Sequence, residues 1–526
     1  MAKSKKKQPE TASSSSAFKE LGLARTVANL IAEIQELYLC DEIPFVVGYS
    51  GGKDSSAVLQ LIWLAISKLP VKQRKKQIHV ISTDTLVEQP IVSMWVDASH
   101  DKMRKAAEKQ QMPLTPNKLT PAVKDTFWVN LIGKGYPKPT NQFRWCTSRM
   151  KINPSNRFIR NVVRENGEAI LVLGTRKAES QRRAANMSRQ EKGRIRDRLS
   201  PNTSLPNSLV YSPIEDWTND DVWLFLMQVK NPWGFTNKSL LGMYQGASAD
   251  NECPLVVDTS TPSCGSSRFG CWTCTVVDKD RSMEAMIKND HEKEWMAPLL
   301  EFRNELAEAN DRYRRDFRRI DGRVQLMERK AENGKRETVP IPGPYKKKWR
   351  ERWLERVLEV QTQVRELGPE DVAELKLISL DELIEIRRIW LYEKHEFDDS
   401  LPEIYERLTG ETFPKPVADD QLLGIEDWQI LKELCEGDDV LFQLQADLLD
   451  VERQYRGMSR RAGVYDALMK RFKAGQFKNE EEALEIKRSE KQRLEAAETG
   501  LELHDPDSDD DDGPGVQQVF VELGGK

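Results

Sequence analysis

The sequence predicts an α/β chain: a parallel sheet with helices on both faces, followed by a mainly helical C-terminal extension. Three observations carry that prediction. Short runs rich in β-formers alternate with segments of helical periodicity through the first half. Each run gives way to glycine, serine or polar residues, as parallel strands do where they meet their loops. From about Ser282 to Thr499 nearly every segment reads as charged amphipathic helix.

The elements follow in order. Residues 1–18 are polar and Ser/Lys-rich, the composition of a disordered basic tail. Apolar residues then recur at three- and four-residue spacing from about Leu21 to Leu39, a helix. Pro44–Tyr49 (PFVVGY) is a strand, and Asp54–Leu69 a helix behind it. Gln77–Thr83 (QIHVIST) is a second buried strand, with a helix over roughly Pro90–Gln110; Ala169–Thr175 (AILVLGT) is a third. Ligands of such sheets sit beyond the carboxyl ends of the strands. Ser50–Ser56, Asp84–Glu88 and Gly174–Arg183 are therefore expected to line one cleft. After Ser212-Pro213-Ile214 the pattern turns helical around Trp217, Trp223 and Trp233, and a cysteine-rich loop follows. Pro340-Ile341-Pro342-Gly343-Pro344 is the best linker. The resulting plan is a sheet-bearing domain at 19–290, a basic helical segment at 291–339, a helical C-terminal domain at 345–500 and an acidic, disordered tail at 501–526.

A chain of 526 residues allows two or three domains. No apolar run approaches the ~18 residues that cross a bilayer, and no apolar stretch follows the charged N-terminus as in a secretory signal. A cytoplasmic protein is expected. The net charge of −4 is unevenly spread. Leu501–Asp512 holds seven acids and no Lys or Arg, while Arg312–Arg356 carries +9 and Arg176–Arg198 carries +6. Such blocks are either solvated helix faces or, beside a chemical site, the footprint of a polyanionic partner.

Ser50-Gly51-Gly52-Lys53-Asp54-Ser55-Ser56 joins a strand to a helix. Glycines let the backbone approach an anion, the helix start offers unpaired N–H groups, and Ser50, Ser55 and Ser56 add hydroxyls. Lys53 can neutralise a phosphate and Asp54 can hold Mg²⁺ or its waters. The spacing is not that of a Walker loop; the plainer reading is a tight turn with a serine cap.

Four of the seven cysteines, Cys253, Cys264, Cys271 and Cys274, fall within 22 residues, which an odd cysteine count in a reducing compartment does not explain by disulfides. Cys271-Trp272-Thr273-Cys274 can hold one face of a metal or cluster. Zinc remains open, although its structural sites usually pair two such knuckles, and so does a metal-free redox dithiol. Cys40 and Cys435 lie in partly apolar helical contexts and read as core. No His–Asp–Ser arrangement or histidine-based metal motif is present among the five histidines.

SGGKDS after a strand resembles the PP-loop of ATP pyrophosphatases, the adenine nucleotide α-hydrolase-like fold, which cut ATP between the α and β phosphates. GTRKAESQRR (Gly174–Arg183) resembles that family's second phosphate-side element, and SPIEDWTNDDVW (Ser212–Trp223) its PI-x-x-W-x-x-x-DVW stretch. Together they are similar to the branch containing PAPS reductase. The resemblance implies ATP contacts from Ser50, Gly51, Gly52, Lys53, Asp54, Ser55, Ser56, Asp84, Gly174 and Arg176, with Lys53, Asp54 and Arg176 catalytic and Mg²⁺ at Asp54; TDTLVE departs from the usual Asp-Thr-Gly at Asp84. GC-x-x-CT resembles the second cysteine pair of iron–sulfur APS reductases, and Cys146 in RWCTSRMKINP matches their first element with one cysteine where they have two. This implies a [4Fe–4S] cluster on Cys146, Cys264, Cys271 and Cys274, with Cys253 the substitute.

The whole set resembles the DndC-type DNA phosphorothioation sulfurtransferases over residues 20–290. That resemblance implies ATP-driven activation of a DNA phosphate and replacement of a non-bridging oxygen by sulfur. Its implied partners are DNA, a cysteine desulfurase as sulfur donor, and DndD- and DndE-type proteins, with no membrane. The alternatives are a PAPS/APS reductase, which would want a catalytic cysteine near its C-terminus, a tRNA thiolase, and an ATP-sensing DNA-binding scaffold.

Overall fold

The computed structural model describes residues 16–194, 196–248, 269–330, 336–396, 398–414, 425–456, 458, 460–474, 477 and 479–499. Cys253, Cys264, residues 1–15 of the expected basic tail and the whole acidic tail lie outside them. The chain divides into two compact units, Met1–Arg314 with Tyr345–Asp420, and Arg315–Pro344 with Gln421–Lys526. The sequence plan instead kept 345–500 together.

The expected sheet is present. Its strands are β1 (Phe45–Gly48), β2 (Ile78–Thr83), β3 (Leu114–Leu119), β4 (Ala169–Val172), β5 (Ser200–Pro201) and β6 (Ser208–Tyr211), in the order β3-β2-β1-β4-β6-β5. All neighbours run parallel except β5 with β6. Val47 pairs with Val80 on one side and Val172 on the other.

Alternation along the strands divides the apolar side chains between two faces. Phe45, Val47, Ile78, Val80, Ile170 and Val172 join one core with α1 (Gly22–Leu39) and α2 (Lys53–Ser67), and with α3 (Pro90–Lys109) through Val92 and Met103. Val46, Ile81 and Ala169 turn to the other face, under Ile159 and Val162 of α4 (Asn153–Asn166). Helix α5 (Gln181–Glu191) follows β4, while α6 (Asn219–Gln228) and α7 (Asn237–Gly246) follow β6. Because α2 is packed between α1, α6 and the sheet, it is buried from Ser55 to Ile66 with the single exception of Leu64. A helix enclosed on every side needs apolar residues all round. Burial of each such Leu or Ile contributes about 1.5–3 kcal/mol.

Residues 16–18 are not part of a tail. Phe18 is buried edge-on against Trp217 at 5.0 Å, and the Ala17 amide donates to Asp221 at 3.0 Å.

A second core gathers a π-helical turn at Val129–Gly133, Trp145, Trp272 and five helices: α8 (Arg281–Asn289), α9 (Ala297–Leu306), α10 (Lys347–Leu367), α11 (Leu380–Tyr392) and α12 (Ser400–Thr409). Trp128 stacks on Phe302 with 5.8 Å between ring centres, and its indole N–H donates to the Leu377 carbonyl at 2.7 Å. The indole of Trp390 likewise donates to Ile132 at 3.0 Å. These tryptophans satisfy their one donor inside the core, so residues 345–414 belong structurally with the sheet-bearing unit. Ser379 and Glu382 start α11 as a capping box.

The other unit holds a hairpin, β7 (Leu326–Lys330) with β8 (Arg336–Pro340), and the helices α13 (Ile425–Leu434), α14 (Asp439–Arg456), α15 (Val464–Ala474) and α16 (Glu480–Thr499). Val324, Phe477 and Ala483 form its small core with Phe317 and Leu326. The hairpin corrects the expectation of a helical segment at 291–339. Its strands are too charged to show alternation.

Candidate active site

The phosphate loop sits where the strand order turns. From β1 the chain proceeds to β2 on one side, and from neighbouring β4 to β6 on the other, which opens a crevice at the carboxyl ends of β1 and β4. Gly51 has φ +75°, and a Cβ there would lie 2.7 Å from Val96, so only glycine fits. The Trp95 indole N–H donates to the Gly51 carbonyl at 3.2 Å. Ser55 accepts the Ser50 N–H at 3.2 Å and donates to the Gly52 carbonyl at 2.9 Å, which closes the loop onto the first turn of α2. The Lys53 N–H, one of the unpaired donors of that helix start, donates to the Tyr244 hydroxyl at 3.3 Å. Ser56 is 3% exposed, in the first turns of α2 where the helix packs on the sheet.

Asp54 lies in the first turn of α2 with both carboxylate oxygens occupied. Oδ1 accepts from Nε of Arg176 at 2.7 Å, and Oδ2 from the Lys53 ammonium at 2.9 Å. Arg176 is 3% exposed and also donates to the Trp217 carbonyl at 3.2 Å. Its backbone is fixed by Glu179, whose carboxylate accepts the Arg176 N–H at 3.0 Å. Gly174 brings this segment in: a Cβ there would stand 2.9 Å from the Asp54 carbonyl carbon and oxygen. A glycine is what lets strand β4 deliver Arg176 against α2. Asp54 thus holds Lys53 and Arg176 together at the start of α2.

Asp84 lies in the loop after β2. It accepts the Leu86 N–H at 2.8 Å and pairs with Lys118 at 3.0 Å. Leu86 adopts φ +64°, the left-handed conformation that a glycine would hold without strain.

That loop is fastened to the cysteines. Trp272 N–H donates to the Val87 carbonyl at 3.0 Å, and Glu88 and Cys271 form a bridge. The Cys271 sulfur lies 3.3 Å from the Thr85 hydroxyl and 3.8 Å from Glu88, which also pairs with Lys151 at 3.3 Å. Burial, then the Glu88 carboxylate, pushes the Cys271 thiol up to about 12. Burial raises the Cys146 thiol as well, and Cys274 is near enough to raise both. The buried Arg303 holds the following strand of backbone through the carbonyls of Cys274 (2.9 Å), Val277 and Asp278 (2.8 Å). Cys146, Cys271 and Cys274 are all free thiols, and Cys146 and Cys271 pack against the same core cluster. Among the described residues no group of three or more His, Cys, Asp and Glu is arranged to hold a metal ion. Cys40, expected in a core, is exposed at the end of α1, while Cys435 is buried.

Tyr244 and Arg303 were not legible as site residues, because each arrives from a distant element without a local motif; Thr85 lies inside the Asp84–Glu88 stretch already expected at the cleft. Lys151 stood inside the quoted RWCTSRMKINP, where its spacing from Cys146 was the available signal.

The two basic blocks differ. In Arg312–Arg356, Arg314 pairs with Glu308 and lies over Trp349, Arg350 pairs with Glu396, and Arg356 pairs with Glu305 and Glu359. Much of that charge is internal. In Arg176–Arg198, by contrast, Arg182, Arg189 and Lys192 are exposed and without ion-pair partners among the described residues.

Residues 44–277 match the profile of the phosphoadenosine phosphosulfate reductase domain family. An uncharacterised protein of Methanocaldococcus jannaschii is 26% identical over 205 residues, which is 39% of this chain; the chain spans 36% of that relative's length. Among solved structures, PAPS reductase from Candida auris, in a phosphate complex, is 16% identical over 40% of this chain and 86% of its own, with a TM-score of 0.24. The U34-tRNA thiolase NcsA from Methanococcus maripaludis, with its [4Fe-4S] cluster, is 16% identical over 55% and 82%, with a TM-score of 0.26. FMN adenylyltransferase from Candida glabrata, in complex with FAD and inorganic pyrophosphate, is 10% identical over 43% and 62%, at 0.26. No helix among the described residues is long and apolar enough to cross a membrane.

Proposed function

We propose that the chain is an ATP pyrophosphatase that activates a DNA backbone phosphate for sulfur transfer. The observation that carries this reading is the Lys53–Asp54–Arg176 arrangement at the start of α2, in the crevice between β1 and β4. Two cations held on one carboxylate at a helix N-terminus stabilise negative charge that moves onto departing phosphates. The match of residues 44–277 to a nucleotide-using domain family supports the same crevice as the nucleotide site.

A non-bridging phosphate oxygen is a very poor leaving group. If that oxygen attacks the α-phosphorus of ATP, the P–O bond to pyrophosphate breaks and the oxygen becomes part of an AMP leaving group. A sulfur nucleophile can then displace AMP at the DNA phosphorus. Lys53 and Arg176 hold the charge of the departing pyrophosphate in the first step. The sulfur would come as a persulfide from a cysteine desulfurase: its terminal sulfur bonds the DNA phosphorus as AMP leaves, and a second cysteine thiolate then attacks the cysteinyl sulfur of the P–S–S–Cys adduct, which releases the phosphorothioate and leaves a disulfide for an external thiol to reduce. DndD- and DndE-type proteins are the further partners in this reading. Cys146, Cys271 and Cys274, with Cys264 or Cys253, would hold a [4Fe–4S] cluster; their thiol chemistry fits one. Such a cluster supplies electron transfer or sulfide.

A sulfonucleotide reductase is the second reading, favoured by the family profile alone. Cys435, the last cysteine, is buried beside Gln445 and unsuited to a mobile catalytic role. The test is mass spectrometry of nuclease-digested DNA from cells that carry the chain and its partners, with wild type or Lys53→Ala. Phosphorothioate-linked dinucleotides that vanish in the variant support the proposal. Their absence with wild type contradicts it.

A further inference from the structure

A helix that lies along a sheet normally seals it with an apolar stripe. Helix α5 does not. Of its eleven residues only Met187 is buried. The face it turns toward the sheet carries Arg182, Asn186 and Gln190, one helical turn apart, over a floor of Leu171, Leu173 and Val210. Between them lies a cavity of about 610 Å³, within the size range of small-molecule sites. Its far wall, at 200–204, adds the hydroxyls of Ser200, Thr203 and Ser204.

The cavity borders the active site. Thr175 and Ser212 line it, with hydroxyls 2.9 Å apart, and Thr175 stands between Gly174 and Arg176. Its charges are uneven. Arg183 is paired with Glu179, and Arg194 with Glu215 at 3.1 Å. Arg182 is exposed and has no partner among the described residues.

An apolar floor, a rim of hydroxyls and amides, and one uncommitted guanidinium match a ligand with a flat apolar part, a polar sugar and a phosphate. We infer that this cavity receives one nucleotide of the acceptor strand, its phosphate against Arg182, next to the Lys53–Asp54–Arg176 crevice. The inference rests on the proposed DNA substrate and names the place where that substrate meets the activated ATP. In duplex DNA the nucleotide would have to leave the stack to enter.

The test measures binding of a short fluorescein-labelled single strand by anisotropy across a salt series, with a free deoxynucleoside monophosphate in parallel. The variants are Arg182→Ala, which removes the phosphate contact, and Asn186→Trp, which fills the cavity from an exposed position; thermal unfolding reports whether each is folded. The expected result is strand affinity reduced about tenfold or more in both, with the salt slope of Arg182→Ala lower by about one. Wild-type affinity in both folded variants overturns the inference. Binding of the monophosphate that both variants weaken, with strand binding untouched, assigns the cavity to a free nucleotide and overturns it too. Strand binding weakened by both variants, in a protein that releases no pyrophosphate from ATP, supports the cavity and counts against the proposed reaction instead.

Discussion

Arg176 and Asp54, 122 residues apart, meet through Nε and Oδ1 at 2.7 Å, and this contact ties the loop after β4 to the first turn of α2. The arginine is almost wholly buried, and that carboxylate is the charge that compensates it. Removing one partner of a buried pair leaves the other uncompensated and costs about 3–5 kcal/mol, somewhat less here because Asp54 is partly exposed. Asp54→Asn should therefore lower stability by about 2–3 kcal/mol in urea titrations and abolish ATP turnover. A variant of wild-type stability would show that the pair does not carry the crevice.

Gly174→Ala tests the close approach of β4 to α2. The added methyl would meet the Asp54 backbone at 2.9 Å, where nothing flexible can give way. A loss of about 1–3 kcal/mol is expected, with weaker ATP binding by calorimetry. Full retention of both would mean that the two segments do not touch as described.

Leu86→Gly should act in the opposite sense. Leucine at φ +64° carries about 1 kcal/mol of strain that glycine does not. Some of that gain is offset by the freedom glycine has in the unfolded chain. Thermal unfolding should show stability unchanged or raised by up to about 1 kcal/mol. A clear loss would indicate that the leucine side chain holds the loop by packing.

Acid should weaken the protein through His100. Burial holds this imidazole down to about 4, and its Nδ1 has no hydrogen-bond partner among the described residues to receive a proton's charge. Between about pH 6.5 and 4 the unfolded chain takes up a proton that the folded chain refuses. Stability is then complete above about pH 6.5 and falls toward pH 4, by up to about 3 kcal/mol. Urea midpoints compared near neutrality and near pH 5 should separate more in wild type than in His100→Asn. Equal separations would place the acid sensitivity elsewhere.

Much of this was legible in the sequence because it depends on local backbone chemistry. SGGKDS marks a strand–loop–helix junction by residue type alone, and AILVLGT followed by Arg176 marks the neighbouring strand end. Strand β3 was not legible, since LTPNKL carries Pro116, which only an edge strand tolerates. The Tyr244 hydroxyl on the Lys53 amide was hidden because helix α7 comes 191 residues later. Cys40 misled by its helical surroundings, although it sits past the last turn, where side chains face outward. The basic block at 312–356 misled for a related reason: charge counts do not reveal that Glu305, Glu308 and Glu396 fold back onto its arginines.

The cysteine assignment is tested by purification without oxygen and assay of iron and sulfide. About four of each per chain are expected, falling sharply in Cys146→Ser and Cys271→Ser. One tightly held zinc per chain would replace the cluster with a structural site.

The central claim is that Lys53, Asp54 and Arg176 cleave ATP between the α and β phosphates. The most direct measurement is release of pyrophosphate from ATP by the anaerobically purified chain, with DNA and a persulfide donor present, for wild type, Lys53→Ala and Arg176→Ala. The account predicts pyrophosphate and AMP from wild type, and at least a hundredfold less from each variant, about 2.7 kcal/mol of lost transition-state stabilisation. ATP that binds but yields no pyrophosphate, or pyrophosphate release that survives both substitutions, would contradict it.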